Sequence, residues 1–298
     1  MNVVRYSDRP DLLARRYEEL TKPSFPEYMN HNEPGDRYWD RLYTDFPDFQ
    51  VALVDGDELL AEAHAIPVPW DGTLDDLPSG WDEGFELGMA SNRQRTALMA
   101  IAISVAPARQ GQRLSSRTIQ TFTDNAPAAG LASVIAPVRP TWKERYPLIP
   151  IERYVEWRRD DGSHFDPWIR IHERIGGEIL ASAPESMRIR LPAADWEELT
   201  GMSFPSDGEY VFPGGLAPLI VLHGIGTCRA ERLGPPPRPV VRETLARATR
   251  TRRSAPSRDE SPSFPTSRGR FAAARRVRTT PSGSRLPPRH GHARRSGR

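Results

Sequence analysis

The 298-residue chain has one cysteine, Cys228, and only two lysines, Lys22 and Lys143, against 39 arginines. A single cysteine excludes an intrachain disulfide framework and a cysteine-based zinc site. None of the seven histidines stands in a His-Glu-x-x-His or comparable ligand spacing, so the sequence offers no basis for metal chemistry. No Gly-x-Ser-x-Gly elbow is present to present a serine nucleophile. No apolar run approaches the ~18 residues of a membrane span. The start, Met-Asn-Val-Val-Arg-Tyr-Ser-Asp, lacks the basic and apolar regions of a signal peptide. The expected location is the cytoplasm, with no membrane partner.

Near-neutral net charge conceals two unlike parts. Residues 229–298 hold 19 Arg and 4 acidic residues, a balance of +15, which leaves −13 on residues 1–228. All seven Trp and all eight Tyr precede residue 211, so the side chains that bury most area belong to the first part. Arg, Pro, Ala, Gly, Ser and Thr supply 56 of the last 70 residues. Such a composition cannot bury enough apolar area to offset its ordering entropy. The expected organisation is one α/β domain over residues 1–222 and a disordered, basic, Arg/Pro-rich tail over 223–298.

Hydrophobic periodicity gives the order of elements. Residues 2–6 read as a strand, and Asp8-Arg9-Pro10 opens a helix whose Leu12, Leu13, Tyr17 and Leu20 have helical spacing and which Pro23 stops. A second helical piece spans 38–46. Residues 49–54 and 59–66 flank Asp55-Gly56-Asp57, a hairpin pattern because Gly supplies positive φ at the turn. A loop rich in Pro and Gly covers 67–80, and a helix follows over 81–91. The run 97–105 is the best central strand, 114–125 is a helix and 133–138 a further strand, which together make a βαβ unit with parallel strands. Beyond Pro140 come helical pieces, one or two strands within 178–191, a short helix over 195–199, and strands at 209–212 and 216–222.

The segment with chemical content is Val105-Ala106-Pro107-Ala108-Arg109-Gln110-Gly111-Gln112-Arg113-Leu114-Ser115. A loop from a strand into a helix N-terminus offers unpaired backbone N–H groups and the positive end of the helix dipole to an anion. Arg109 and Arg113 add fixed positive charge suited to phosphate. A surface loop with solvated arginines would read the same way.

These residues resemble the acyl-CoA motif of the GNAT superfamily of N-acetyltransferases: Gln or Arg, two residues, Gly, one residue, then Gly or Ala. Gln110 takes the first position, Arg113 stands where the family usually has its central Gly, and Ser115 replaces the last small residue. The order of elements through residue 138 is similar as well. The resemblance implies a mixed central sheet flanked by helices, with a splay between strands 97–105 and 133–138 that takes the pantetheine arm of acetyl-CoA. Ile103, Ser104 and Val105 would bond that arm, and Gln110, Gly111, Gln112, Arg113, Leu114 and Ser115 would hold the phosphates. Acetyl would pass directly to the amine of a small-molecule or peptide acceptor, with no metal.

Tyr146 falls near the place where the family often has a tyrosine that protonates the leaving thiolate; an aromatic packed between helix and sheet fits the pattern equally. Glu62 is the candidate base. With His64 it lies opposite Ala61, Ala63 and Ala65 in strand alternation, which is also the pattern of a solvated strand face. The cluster Trp157, Asp160, Asp161, His164, Phe165, Asp166 and Trp168 would attract a cationic acceptor or serve as turn and capping groups.

Two further classes of function stand beside this one. A GNAT-like protein that holds CoA or another ligand without turnover fits the substitutions at 113 and 115. The basic tail alone would carry nucleic-acid binding by releasing counterions, although only Phe264 and Phe271 interrupt it for stacking. The Arg, Pro and Ala bias of the tail is also that of GC-rich DNA read off-frame. Residues 228–234 can be encoded so that a one-base shift gives Val-Glu-Pro-Asn-Val-Trp, and the expectation is that the tail is out of frame and adds nothing to catalysis.

Overall fold

The computed structural model describes residues 1–223 together with the strands Thr227–Arg229 and Val241–Glu243, all within the unit Met1–Ala248. Expectations for the rest of the tail, its disorder, reading frame and nucleic-acid binding, lie outside the described residues. Two strands do fall beyond residue 222, as set out next.

Seven strands form one mixed sheet: β1 (Asn2–Arg5), β2 (Gln50–Asp55), β3 (Glu58–Val68), β4 (Ala97–Val105), β5 (Ser133–Ala136), β6 (Gly177–Ile179) and β11 (Val241–Glu243). Their order is β1-β2-β3-β4-β5-β11-β6, and only β4 and β5 run parallel. A smaller antiparallel sheet has the order β7-β10-β9-β8, from Arg190–Leu191, Thr227–Arg229, Leu219–Leu222 and Gly208–Tyr210. The segment 178–191 therefore divides between two sheets. The hairpin turns at Gly56, φ +59°, as the Asp-Gly-Asp pattern predicts.

Strand β3 runs two residues past the expected end at 66 and includes Pro67. Pro67 pairs with Leu98 of β4, beyond the last β2 partner, where β3 has a neighbour on one side only. A proline without an N–H is tolerated at such a position.

Both faces of the sheet are covered. On one, the helix Trp81–Ala90 packs Trp81, Phe85 and Met89 against Ile66, Val68 and Met99. A Cβ at Gly88 would lie 2.6 Å from Ile66 Cδ1, so that glycine permits the close approach of helix to sheet. On the other, the helix Leu114–Asn125, at its expected bounds, packs Phe122 on Ala63, Ala65, Leu98 and Val134. Trp196, Phe204, Phe212, Leu219 and Val221 form a separate small core at the second sheet.

The first helical segment differs from its expectation. It is a chain of short turns over 10–24, with a π turn at Tyr17–Thr21, and Pro23 sits inside the last turn, Lys22–Ser24. Pro23 follows the π turn, in which Lys22 N bonds Tyr17 O, and the helical segment ends one residue later at Ser24. Among the described residues no helix is long and apolar enough to cross a membrane.

Candidate active site

Strands β4 and β5 pair only over Ala97–Met99 and Ser133–Ile135. Beyond that point β4 continues to Val105 with β3 as its sole partner, so its other edge opens into a cleft. The ladder shifts between His64 and Ala65, leaving Ile101 as an extra residue in β4, and Trp81 donates its indole N–H to the Ile101 carbonyl at 2.8 Å. Such a bulge bends a strand and ends pairing locally. The cleft, of about 1960 Å³, has Ile101, Ile103 and Val105 on one side and Ala136, Pro137 and Val138 on the other.

One end of the cleft is closed by the loop into the Leu114–Asn125 helix. Gly111 has φ +79°, and Arg113 has φ +60°, the only non-glycine with positive φ among the described residues. This explains why a glycine motif suits the position that Arg113 fills: the left-handed region is strained for a side chain. A Cβ at Gly111 would meet nothing within 4 Å, so its glycine is required by conformation and not by space. The first helical backbone bond here is from Arg117 N to Arg113 O, which leaves the preceding N–H groups to face the loop.

Gln110, Gly111, Arg113, Leu114 and Ser115 all line the cleft with Ile103 and Val105. Ser104 and Gln112 do not: the Ser104 side chain is buried on the sheet face shared with Glu62, and Gln112 is exposed. Arg109 is engaged by Glu58 in a two-bond ion pair at 2.6 and 2.8 Å. Arg113 has no such partner among the described residues and remains the free cation at the helix start.

Glu62 and His64 are both fully buried, which corrects the reading of their alternation as a solvated face. The helical segment 10–24 and the aromatics Trp39 and Tyr43 cover them. Glu62 accepts from Tyr6 Oη at 2.8 Å, Arg16 Nε at 2.7 Å, Arg16 Nη2 at 3.0 Å and Thr21 Oγ1 at 2.9 Å. His64 Nε2 is 3.1 Å away, and its Nδ1 lies 3.1 Å from Gln50 Oε1. Burial alone would raise the Glu62 carboxyl, but His64 and Arg16 outweigh it and hold it well below the usual carboxylate range. Burial pushes His64 down, against the pull of Glu62. Glu62 lines the cleft, and its carboxylate is occupied by the hydrogen bonds from Tyr6, Arg16 and Thr21.

Tyr146 lies among Tyr154, Trp157 and Phe165, with its ring centroid 4.9 Å from that of Trp157, and is not among the residues lining the cleft. That placement matches the packing alternative. In the neighbouring cluster, Asp166 is buried and caps the helix Pro167–Arg174 through Trp168 N and Ile169 N. It also accepts from Thr141 N, Trp142 N and Tyr154 Oη, so it ties three segments together and is not available to an acceptor. Trp168 alone of the cluster reaches the cleft.

The far wall comes from the second sheet. Arg139 Nη2 donates to the Gly214 carbonyl at 2.7 Å, Tyr28 Oη donates to the same carbonyl at 2.8 Å, and Lys143 Nζ donates to the Leu216 carbonyl. These bonds hold the 212–218 turn across from β4. Sequence reasoning missed them, and it missed Arg16, because neither lies in a motif; each is defined by contacts more than forty residues apart. Among the described residues no group of three or more His, Cys, Asp or Glu is placed to hold a metal.

No family model matches the chain. Arginine N-acetyltransferase avaD of Aspergillus versicolor is 32% identical over 220 residues, spanning 65% of this chain and 73% of that protein. Among solved structures, the loading GNATL domain of CurA from Lyngbya majuscula is 16% identical, with a TM-score of 0.49 and coverage of 82% of this chain and 97% of that one. The GphF GNAT-like decarboxylase in complex with isobutyryl-CoA is 14% identical, also with a TM-score of 0.49, covering 82% of this chain and 100% of that chain.

Proposed function

Because the chain belongs to the GNAT superfamily of N-acetyltransferases, enzymes dependent on acyl-CoA, we propose that it acetylates the amine of a small guanidinium-bearing acceptor by direct transfer in a ternary complex. The observation that carries the donor half of this reading is the free edge of β4 leading into the 110–115 turn. A pantetheine arm fits along Ile103 and Val105, and the pyrophosphate meets Arg113 and the unpaired N–H groups of the Leu114–Asn125 helix. The acceptor class is supported by the arginine of the relative's name and by Asp36 and Glu144, exposed acidic side chains on the cleft wall. A cytoplasmic setting belongs to the same reading.

The acceptor amine attacks the thioester carbonyl, the C–S bond breaks, and CoA leaves as a thiolate that takes up a proton while the new amide loses one. With Glu62 locked in its ion pair, the ammonium loses its first proton to solvent in the open cleft. No residue of the chain becomes acylated. The test is thiol release from acetyl-CoA with arginine, agmatine and unrelated amines. Arg113→Glu is expected to weaken CoA binding at least tenfold, since one charge-assisted contact contributes ~1.5–3 kcal/mol. Equal CoA affinity in that variant would remove the phosphate-loop assignment, and equal turnover of all amines would remove the guanidinium preference.

A further inference from the structure

Arg16 is 8% exposed and lines the cleft, yet its guanidinium is only partly used. Nε and Nη2 bond Glu62, Nη2 also donates to Thr21 Oγ1 at 2.9 Å and lies 3.3 Å from His64 Nε2. Among the described residues Nη1 has no hydrogen-bond partner. The plane is fixed from a second direction by Trp39, whose ring centroid is 5.6 Å from Arg16 Cζ.

The local backbone serves this arrangement. The π turn Tyr17–Thr21 follows Arg16 directly, and its wider spacing sets residues 16 and 21, five apart, on one side, where both reach the same carboxylate. Single π turns are common where a side chain is placed for function. A second unspent group lies close by. Ser104 is directly across the β3–β4 ladder from Glu62 and 1% exposed, and its Oγ has no partner. Directly opposed residues have Cβ atoms ~4.5–5.5 Å apart. The Ser104 hydroxyl stands beside Glu62 but outside the cleft lining, whereas Arg16 does line the cleft, so its unpaired Nη1 is the donor that a ligand oxygen can reach.

We propose that Arg16, oriented by Glu62, is a carboxylate-binding subsite of the cleft. The carboxylate is carried either by the acceptor, as in a free amino acid, or by the acyl chain of the donor. The acceptor arm rests on the guanidinium reading above. Of the five guanidinium donors, those on the Nε and Nη2 side are committed to Glu62, Thr21 and His64; the two on Nη1 stay free and point in a fixed direction. A protein carboxylate behind an arginine that meets a ligand is the same device as a second partner behind a metal-bound histidine: it fixes orientation before the ligand arrives.

The experiment is calorimetric titration of the full chain, preloaded with CoA, with arginine, agmatine, lysine and cadaverine, and of the free protein with acetyl-CoA and succinyl-CoA. Within each amine pair the members differ by the carboxylate. The expected result is that arginine binds at least tenfold tighter than agmatine, and lysine than cadaverine; if the carboxylate belongs to the donor, succinyl-CoA binds at least tenfold tighter than acetyl-CoA instead. The preference should fall towards unity in the double variant Arg16→Met/Glu62→Gln, which removes both buried charges together, and in Arg16→Lys, while CoA itself still binds. Absence of both preferences in the natural protein overturns the subsite, as does a preference that survives in a variant that still binds CoA. Lysine binding without arginine binding would sink the guanidinium reading alone. Arginine and agmatine bound with equal affinity, and no succinyl preference, would sink the subsite alone.

Discussion

Trp81 and Ile101 meet at the point where β4 leaves the register of β3: the indole N–H satisfies the carbonyl of the extra residue at 2.8 Å. Both residues line the cleft, so a packing side chain of the Trp81–Ala90 helix also sets the shape of the donor edge. Trp81→Phe keeps most of the apolar contact but leaves that carbonyl unpaired, at a cost of ~1–3 kcal/mol. The expected outcome is a lower melting temperature together with a severalfold rise in KM for acetyl-CoA. A loss of stability with KM unchanged would make the bond a packing feature without influence on the donor edge.

Arg113 carries two opposed effects that substitution can separate. Its positive φ costs about 1 kcal/mol relative to glycine, while its charge favours phosphate. Arg113→Gly should therefore melt ~2–4 °C above Arg113→Ala, whereas both lose affinity for CoA to a similar degree. Thermal unfolding without ligand and CoA titration of the two variants decide it. Equal melting points would show that the backbone at 113 is not strained.

Much of the order of elements was legible in the sequence, because apolar spacing and breakers fix the hairpin at Gly56, the run 97–105 and the helix 114–125. The loop chemistry was legible for the same reason, since a helix N-terminus and its glycine lie within a few residues of each other. What escaped was decided by tertiary partners. Glu62 and His64 alternate with alanines as a solvated strand face does, and nothing local reveals that Arg16, Tyr6 and Thr21 arrive to bury them. Pro67 reads as a strand end until the neighbour lost on one side is known. Tyr146 matched a family position by distance from a strand, and distance along the chain does not specify which way a ring packs.

Tyr146 gives a direct check on that distinction. Its ring is held by Tyr154, Trp157 and Phe165, and its hydroxyl bonds none of the described residues. Tyr146→Phe should leave kcat within about twofold, well short of the ~10²–10⁴-fold effect of removing a general acid. A loss of that size with KM for acetyl-CoA unchanged would restore the proton-donor role and require the ring to reach the cleft during turnover.

Asp82 makes a pH-dependent prediction. Burial pushes its carboxyl up to about 6, against the bonds it accepts from Arg188 N and Asn32 Nδ2, each at 2.8 Å. A carboxyl whose value is raised in the folded state favours folding while protonated, so its contribution is greatest below the ordinary value near 4 and is lost as pH rises to about 6. Glu62 acts in the reverse sense: held below the ordinary range, it stabilises the fold above that range, and the stability is lost as pH falls through it. His64 and His164, both lowered by burial, also favour the folded state as pH rises. The Asp82 effect is therefore read as the difference between Asp82→Asn and the natural protein, in which the other groups cancel. Asparagine retains one acceptor and sacrifices the other, so the variant should be less stable at pH 4 by ~2–4 °C in melting temperature. That deficit should shrink as the pH rises to 7, because only the natural protein has a buried charge to bear there. A difference that stays constant from pH 4 to 7 would mean that Asp82 titrates at its ordinary value and acts solely through its hydrogen bonds.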